Sequence, residues 1–211
     1  MFHWNLGNTT IRNPNRIKEG LRIFKKNFEG KPFTEREQLE FYKELLKAGI
    51  LESRGASDRS KEITGRKWAA CFNQLGFTIA WKSRDVVRIT DAGNALLSDD
   101  IPEEEVFLKQ FLKYRLPTPI EKGKEYAGFD VNPLYVILRL LNDLAEENEP
   151  GLHKEEISLF VITCLRNDDI KSCKDMILDY RNHRKTIKGM VAKKNFYYQR
   201  KKELIERLYA Y

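Results

Sequence analysis

Ile63–Leu97, ITGRKWAACFNQLGFTIAWKSRDVVRITDAGNALL, decides how the chain folds. Trp68, Phe72 and Leu75 recur at helical spacing and Gly76 supplies a stop, so the first part predicts a helix over about Ile63–Leu75. Two short apolar runs follow, Phe77–Trp81 and Val86–Thr90, separated by the polar Lys82-Ser83-Arg84-Asp85. That spacing signals a β-hairpin. Thr90 or Asp91 then caps a further helix through Leu97.

Upstream, Asn13-Pro14 places a capping residue before a proline, which loses nothing at the first helical position. The helix it opens should reach about Phe28, burying Ile17, Leu21, Phe24 and Phe28 as one stripe. Lys31-Pro32 breaks it. Thr34-Glu35-Arg36-Glu37 is a capping box for a second helix through Leu39, Tyr42, Leu45 and Leu46, terminated by Gly49. Glu52–Glu62, ESRGASDRSKE, is polar and is expected to be a loop or short turn. Helix, helix and a hairpin closed by a helix is the order of a winged helix-turn-helix, whose second helix enters the major groove while the hairpin tip touches the backbone. Arg59, Lys61, Arg66 and Lys67 fall at the start of that recognition helix, and Lys82 and Arg84 at the wing tip.

Beyond Ser98-Asp99-Asp100-Ile101-Pro102 the composition turns acidic, and a subdomain boundary is placed there. The second half reads as all helical. Glu103–Leu116 carries Val106, Phe107, Phe111 and Leu112 on one face, and Asn132-Pro133 opens Leu134–Leu144. Further helices are expected over His153–Leu165, Asp169–Arg184 and Asn195–Tyr209. The fold class is therefore mainly α, a winged helix-turn-helix subdomain with a short β-hairpin (1–100) plus a second all-helical, HTH-like subdomain (101–190). Residues 191–211 begin a linker helix. The last helical pattern shows no release signal, which suggests a chain cut from a longer one.

The 211 residues are 41% hydrophobic and 33% charged, a globular rather than disordered profile. With a mean hydropathy of −0.58 and no apolar run near the ~20 residues of a span, a transmembrane protein is not expected. MFHWNLGNTT has no secretory h-region, and Cys71, Cys164 and Cys173 form no C-x-x-C pair, so reduced thiols in a cytoplasm are expected.

The net charge is +7, and its distribution says more than its sum. Residues 1–50 carry 10 basic against 6 acidic side chains, 101–150 carry 6 against 10, and 151–211 carry 14 against 8. Arg181–Lys202 holds Arg181, Arg184, Lys185, Lys188, Lys193, Lys194, Arg200, Lys201 and Lys202 with no acid, interleaved with Phe196, Tyr197 and Tyr198. Such a run suits a polyanion, because each neutralised phosphate releases counterions. An ordinary solvated helix face is the competing account.

Catalytic constellations are missing. There is no Walker loop, G-x-S-x-G or H-x-x-x-H, and His3, His153 and His183 stand apart from the cysteines, against zinc. Asp169-Ile170-Lys171 matches half of the Asp…(Asp/Glu)-x-Lys pattern of Mg²⁺ nucleases, but it begins a helix where that motif wants a strand. Capping or dipole roles for Asp168 and Asp169 are expected instead. By its residues the chain is a binder.

The opening string Trp4-Asn5-Leu6-Gly7-Asn8-Thr9-Thr10-Ile11-Arg12-Asn13-Pro14-Asn15-Arg16-Ile17 resembles that of AlwI-type restriction endonucleases, which include type IIS and nicking enzymes. Arg88–Gly93, Val106–Gln110, Lys122–Tyr126 with Asn132–Leu134, and Arg181-Asn182 with Lys185–Gly189 resemble blocks of the same family in the same order. The resemblance implies an N-terminal recognition module of two helical or winged-helix subdomains, then a linker and a C-terminal PD-(D/E)XK nuclease using Mg²⁺. This sequence departs from that pattern in reaching no nuclease core. It is thus expected to bind double-stranded DNA, to need no cofactor itself, and to act with the nuclease in cis, with a second subunit for double-strand cleavage. Within the matched string Arg12 and Arg16 could reach phosphates or a guanine edge, and Asn8, Thr9 and Thr10 could donate to phosphate or base edges. The competing account lets Thr9, Thr10 and Asn13 merely shape the turn while Trp4 packs on the core. Lys122, Lys124 and Tyr126 are either a backbone clamp or a plain surface loop, and Trp68 and Trp81 are expected in the core. A stand-alone winged-helix regulator and a helical protein-interaction adaptor are the rival functions.

Overall fold

The computed structural model describes residues 3–4, 13–52, 55, 57–80, 86–98, 100–118, 123 and 126–209. The chain divides into two compact units, Leu6–Phe111 and Met1–Asn5 with Leu112–Tyr211. The division falls within a helix rather than at the polar breaker Ser98–Pro102. Both units are mainly helical, and one small two-stranded antiparallel sheet is present among the described residues.

In the first unit α1 spans Pro14–Phe28, with Asn13 accepting from the Asn15 amide at 3.0 Å. Its four predicted apolar positions are all buried, and Phe24 stands at the centre of a ring cluster with Phe28, Phe33, Phe41 and Phe72, centroids 4.9–5.6 Å away. Edge and tilted contacts of this kind add ~0.5–1.5 kcal/mol per pair beyond area burial. α2 (Glu35–Lys47) begins at the Thr34 capping box. Ser57 caps α3 (Asp58–Gln74), accepting from the Ser60 amide. The helix therefore starts inside the stretch expected to be a loop, because a serine cap and side-chain pairs along Asp58–Glu62 replace the apolar periodicity that is lacking there.

β1 (Thr78–Ile79) pairs with β2 (Arg88–Ile89), shorter than the predicted runs. Asn73 anchors the first strand: its Oδ1 accepts from the Thr78 hydroxyl at 2.6 Å and the Ala80 amide at 3.1 Å. The segment after α1 also joins, Glu29 bridging Val87 in parallel and Pro32 bridging Val86 in antiparallel fashion. Thr90 caps α4 (Asp91–Leu97). α5 (Glu103–Lys113) buries Val106 and Phe107 but leaves Phe111 and Leu112 exposed. It stops short of Leu116, which instead bridges Val131.

The second unit is built on α6 (Pro133–Glu146), capped by Asn132. α7 (Lys154–Leu159) is cut short by a 3-10 turn over Val161–Thr163, correcting the longer helix expected there. α8 (Ile170–Thr186) and α9 (Met190–Tyr209) follow. Val136, Leu140 and Leu144 pack with Ile170, Cys173 and Ile177. Trp4 enters this core, its indole N–H donating to the Cys164 carbonyl at 2.6 Å. Trp68 is buried in the first unit as expected; Trp81 lies outside the described residues. Among the described residues no helix is long and apolar enough to cross a membrane.

Candidate nucleic-acid interface

α3 separates an inner from an outer face. Glu62, Gly65, Trp68, Ala69 and Phe72 point inward, and at Gly65 the crossing with α2 is so close that a Cβ would stand 2.0 Å from the Gln38 carbonyl oxygen. The outer face carries the predicted cations, and the structure grades them. Arg59 is tied to Glu62 at 2.7 Å and to Glu35 at 3.4 Å. Lys61 is tied to Asp58 at 2.8 Å. Lys67 is exposed and has an interaction partner of its own. Arg66 is exposed with no ion pair or hydrogen bond to any described residue. Arg88, exposed on β2, is a cation the sequence reading passed over; the in-out alternation of Val87, Arg88 and Ile89 was the available signal.

Arg16 faces inward. Its guanidinium lies 5.7 Å from the Trp68 ring centroid and donates to the Ile50 carbonyl, so it helps seat α1 on α3. Asn8, Thr9, Thr10, Arg12, Lys82, Arg84, Lys122 and Lys124 lie outside the described residues.

In the second unit the basic run divides in two. Arg181, on α8, clamps Glu156 through Nε and Nη2, both at 2.7 Å, and Nη2 also donates to the Gly151 carbonyl at 2.7 Å. Arg184 stands 3.3 Å from Glu155 and Lys185 pairs with Glu149. These three predicted contacts are engaged in joining α8 to the loop before α7 and to α7 itself. Lys188, Lys193 and Lys194 have no ion pair to any described residue, and Lys194 sits 5.9 Å from the Tyr198 ring centroid. The Lys185 ammonium, with Arg181 beside it, holds the Glu149 carboxyl below its ordinary 4.5. A carboxyl depressed in the fold adds stability that is full above the ordinary value and is lost as pH falls through the folded one. Glu149→Gln should therefore lower the melting temperature at pH 7, and the deficit should shrink as pH falls below the ordinary carboxyl value and through the folded one; a deficit that does not change with pH would contradict this role.

Burial pushes the Cys71 thiol up to about 11, and Cys164 and Cys173 to about 12, so all three stay protonated at neutral pH and are poor nucleophiles. Asp169 accepts from the Arg166 amide at 3.1 Å at the start of α8, and Asp168 lies 3.6 Å from the Arg166 guanidinium. One carboxylate caps a turn and the other pairs with a cation, so these residues do not fit an Mg²⁺ site. Among the described residues no three His, Cys, Asp or Glu side chains gather at ligand spacing.

The family model for AlwI restriction endonuclease matches residues 73–208, from the end of α3 through most of α9. The chain belongs to that family. Membership in the AlwI restriction endonuclease family makes DNA the substrate partner of the enzyme. No curated protein matches the chain. The matched span takes in Arg88 on the hairpin and all of the Arg181–Lys194 cations, whereas Arg59, Arg66 and the Asn8–Arg16 string precede it.

Proposed function

We propose that this chain is the sequence-specific DNA-recognition part of an AlwI-type restriction endonuclease, reading double-stranded DNA with α3 of a winged helix. Family membership is the observation that carries the reading. The geometry supports it in detail. α1, the strand-like Glu29–Pro32, α2, α3 and the β1–β2 hairpin follow one another in winged-helix order, and the bridges to Val86 and Val87 draw the segment after α1 into the wing. α3 is locked on its inner side and presents Arg66 outward, where a guanidinium can grip guanine O6 and N7 for ~1–3 kcal/mol of discrimination. Lys67 and Arg88 would follow the backbone, as would Lys188 and Lys193, and Lys82 and Arg84, which the sequence assigns to the wing, would join them. The string Asn8–Arg12 and the loop with Lys122 and Lys124 would add contacts.

Cleavage would belong to a PD-(D/E)XK domain in cis outside these residues, which would hold the Mg²⁺, and a second subunit would cut the other strand. The protein would work in the cytoplasm. Binding to a cognate duplex should fall steeply between about 50 and 200 mM salt. Arg66→Ala should change which base is preferred at one position, whereas Lys188→Ala should weaken all duplexes alike and reduce the salt slope by about one. Identical behaviour of the two variants would remove α3 from the reading role.

A further inference from the structure

Helix α9 has two distinct faces, and among the described residues only one of them is packed against the rest of the fold. On the inner face Phe196 stacks on Tyr180 with ring centroids 5.3 Å apart, and the Tyr197 hydroxyl meets that of Ser158 at 3.1 Å. Arg200 lies over Phe196 at 5.3 Å and 3.6 Å from Asp179. On the opposite face Val191, Tyr198 and Ile205 recur every seven residues, a spacing that keeps them on one stripe. They are 74%, 54% and 46% exposed, and Met190 at the head of the helix is 87% exposed. Lys194, Lys201 and Lys202 flank the stripe, and Lys202 lies 3.7 Å from the Glu206 carboxylate, which leaves Lys194 and Lys201 with no ion pair to any described residue.

Phosphate contact explains the lysines but not a continuous row of valine, tyrosine and isoleucine, which gains from burial against apolar surface and not against a backbone of charges. A helical partner with apolar residues at the same spacing would cover the row. A second copy of α9 is a poor match: paired antiparallel about Tyr198, Lys194 would face Lys202, and paired in parallel each lysine would face itself. We propose that the outer face of α9 docks an acidic amphipathic helix of a partner protein, its apolar side on Val191, Tyr198 and Ile205 and its carboxylates on Lys194 and Lys201. This docking does not depend on the DNA reading.

The probe is a fluorescent helical peptide with leucines at seven-residue spacing and glutamates on both flanks, titrated with the full chain. Binding should weaken at least ~tenfold in the triple variant Val191→Ser, Tyr198→Ser, Ile205→Ser, and equally in Lys194→Glu with Lys201→Glu. Circular dichroism and melting temperature should be retained, and duplex DNA should not compete. Should the serine variant lose helicity, the charge-reversal pair carries the test alone. Unchanged affinity in the folded variants overturns the proposal. So does a parallel loss of duplex binding in the serine variant, which gives the face to DNA, or a concentration-dependent dimer abolished by the same substitutions, which gives it to a second copy.

Discussion

Gly65→Ala should destabilise the first unit by about 3 kcal/mol, although glycine to alanine inside a helix ordinarily gains up to ~1 kcal/mol. The sign reverses because the added Cβ would stand 2.0 Å from the Gln38 carbonyl oxygen and 3.4 Å from the Tyr42 amide nitrogen. Both are backbone atoms of α2, so no rotamer change relieves the clash and the two helices must part. Separation would loosen the contacts among Phe24, Phe41 and Phe72, which join α1, α2 and α3. Denaturant unfolding measures the cost, and Gly30→Ala is a useful contrast. Gly30 has open space around it and a φ of +76°, so its penalty comes from backbone strain without a clash. A neutral Gly65→Ala would mean that α2 and α3 are not in close contact. The same variant should lose duplex binding in proportion to the displacement of α3.

Arg181→Met should cost the second unit about 3–5 kcal/mol, the range for breaking a buried pair by removing one partner. Arg181 and Glu156 are 13% and 5% exposed at their side chains. Removing the guanidinium strands a carboxylate that also accepts from the His153 amide at 2.9 Å, and it frees the Gly151 carbonyl. Arg181→Met with Glu156→Leu should recover much of the loss, since an apolar pair of similar volume avoids the desolvation of two charges. Thermal unfolding followed with the single and double variants settles the matter. A loss below ~1 kcal/mol for Arg181→Met would place the pair among exposed surface bridges. DNA affinity per folded molecule should change little, because this guanidinium is engaged within the protein.

How much of this was legible in the sequence depends on how local each signal is. Asn13-Pro14 and Asn132-Pro133 mark the starts of α1 and α6 because a cap and its proline act within one turn. Gly49 and Gly76 mark stops for the same reason, each adopting the positive φ of a helix end. The start of α3 was hidden, since Ser57 and the pair Asp58–Lys61 build a helical turn without apolar periodicity. Leu116 was assigned to a helix because its pairing with Val131 is settled by residues far along the chain. Charge was the least legible. Arg181–Lys202 contains no acid, yet Glu149, Glu155 and Glu156, 25 to 36 residues upstream of their partners, neutralise the first part of the run. Counting along the chain cannot see a pairing made by the fold. The division of α9 into a used and an unused face likewise required knowing which side meets Tyr180.

The central claim, that the chain reads DNA sequence, is tested most directly by selecting bound duplexes from a random pool with the full 211-residue chain at about 150 mM salt. The account predicts enrichment of one short site, bound at least ~10³-fold more tightly than scrambled duplex. Recovery of a pool with no sequence preference, bound by charge alone, would contradict it.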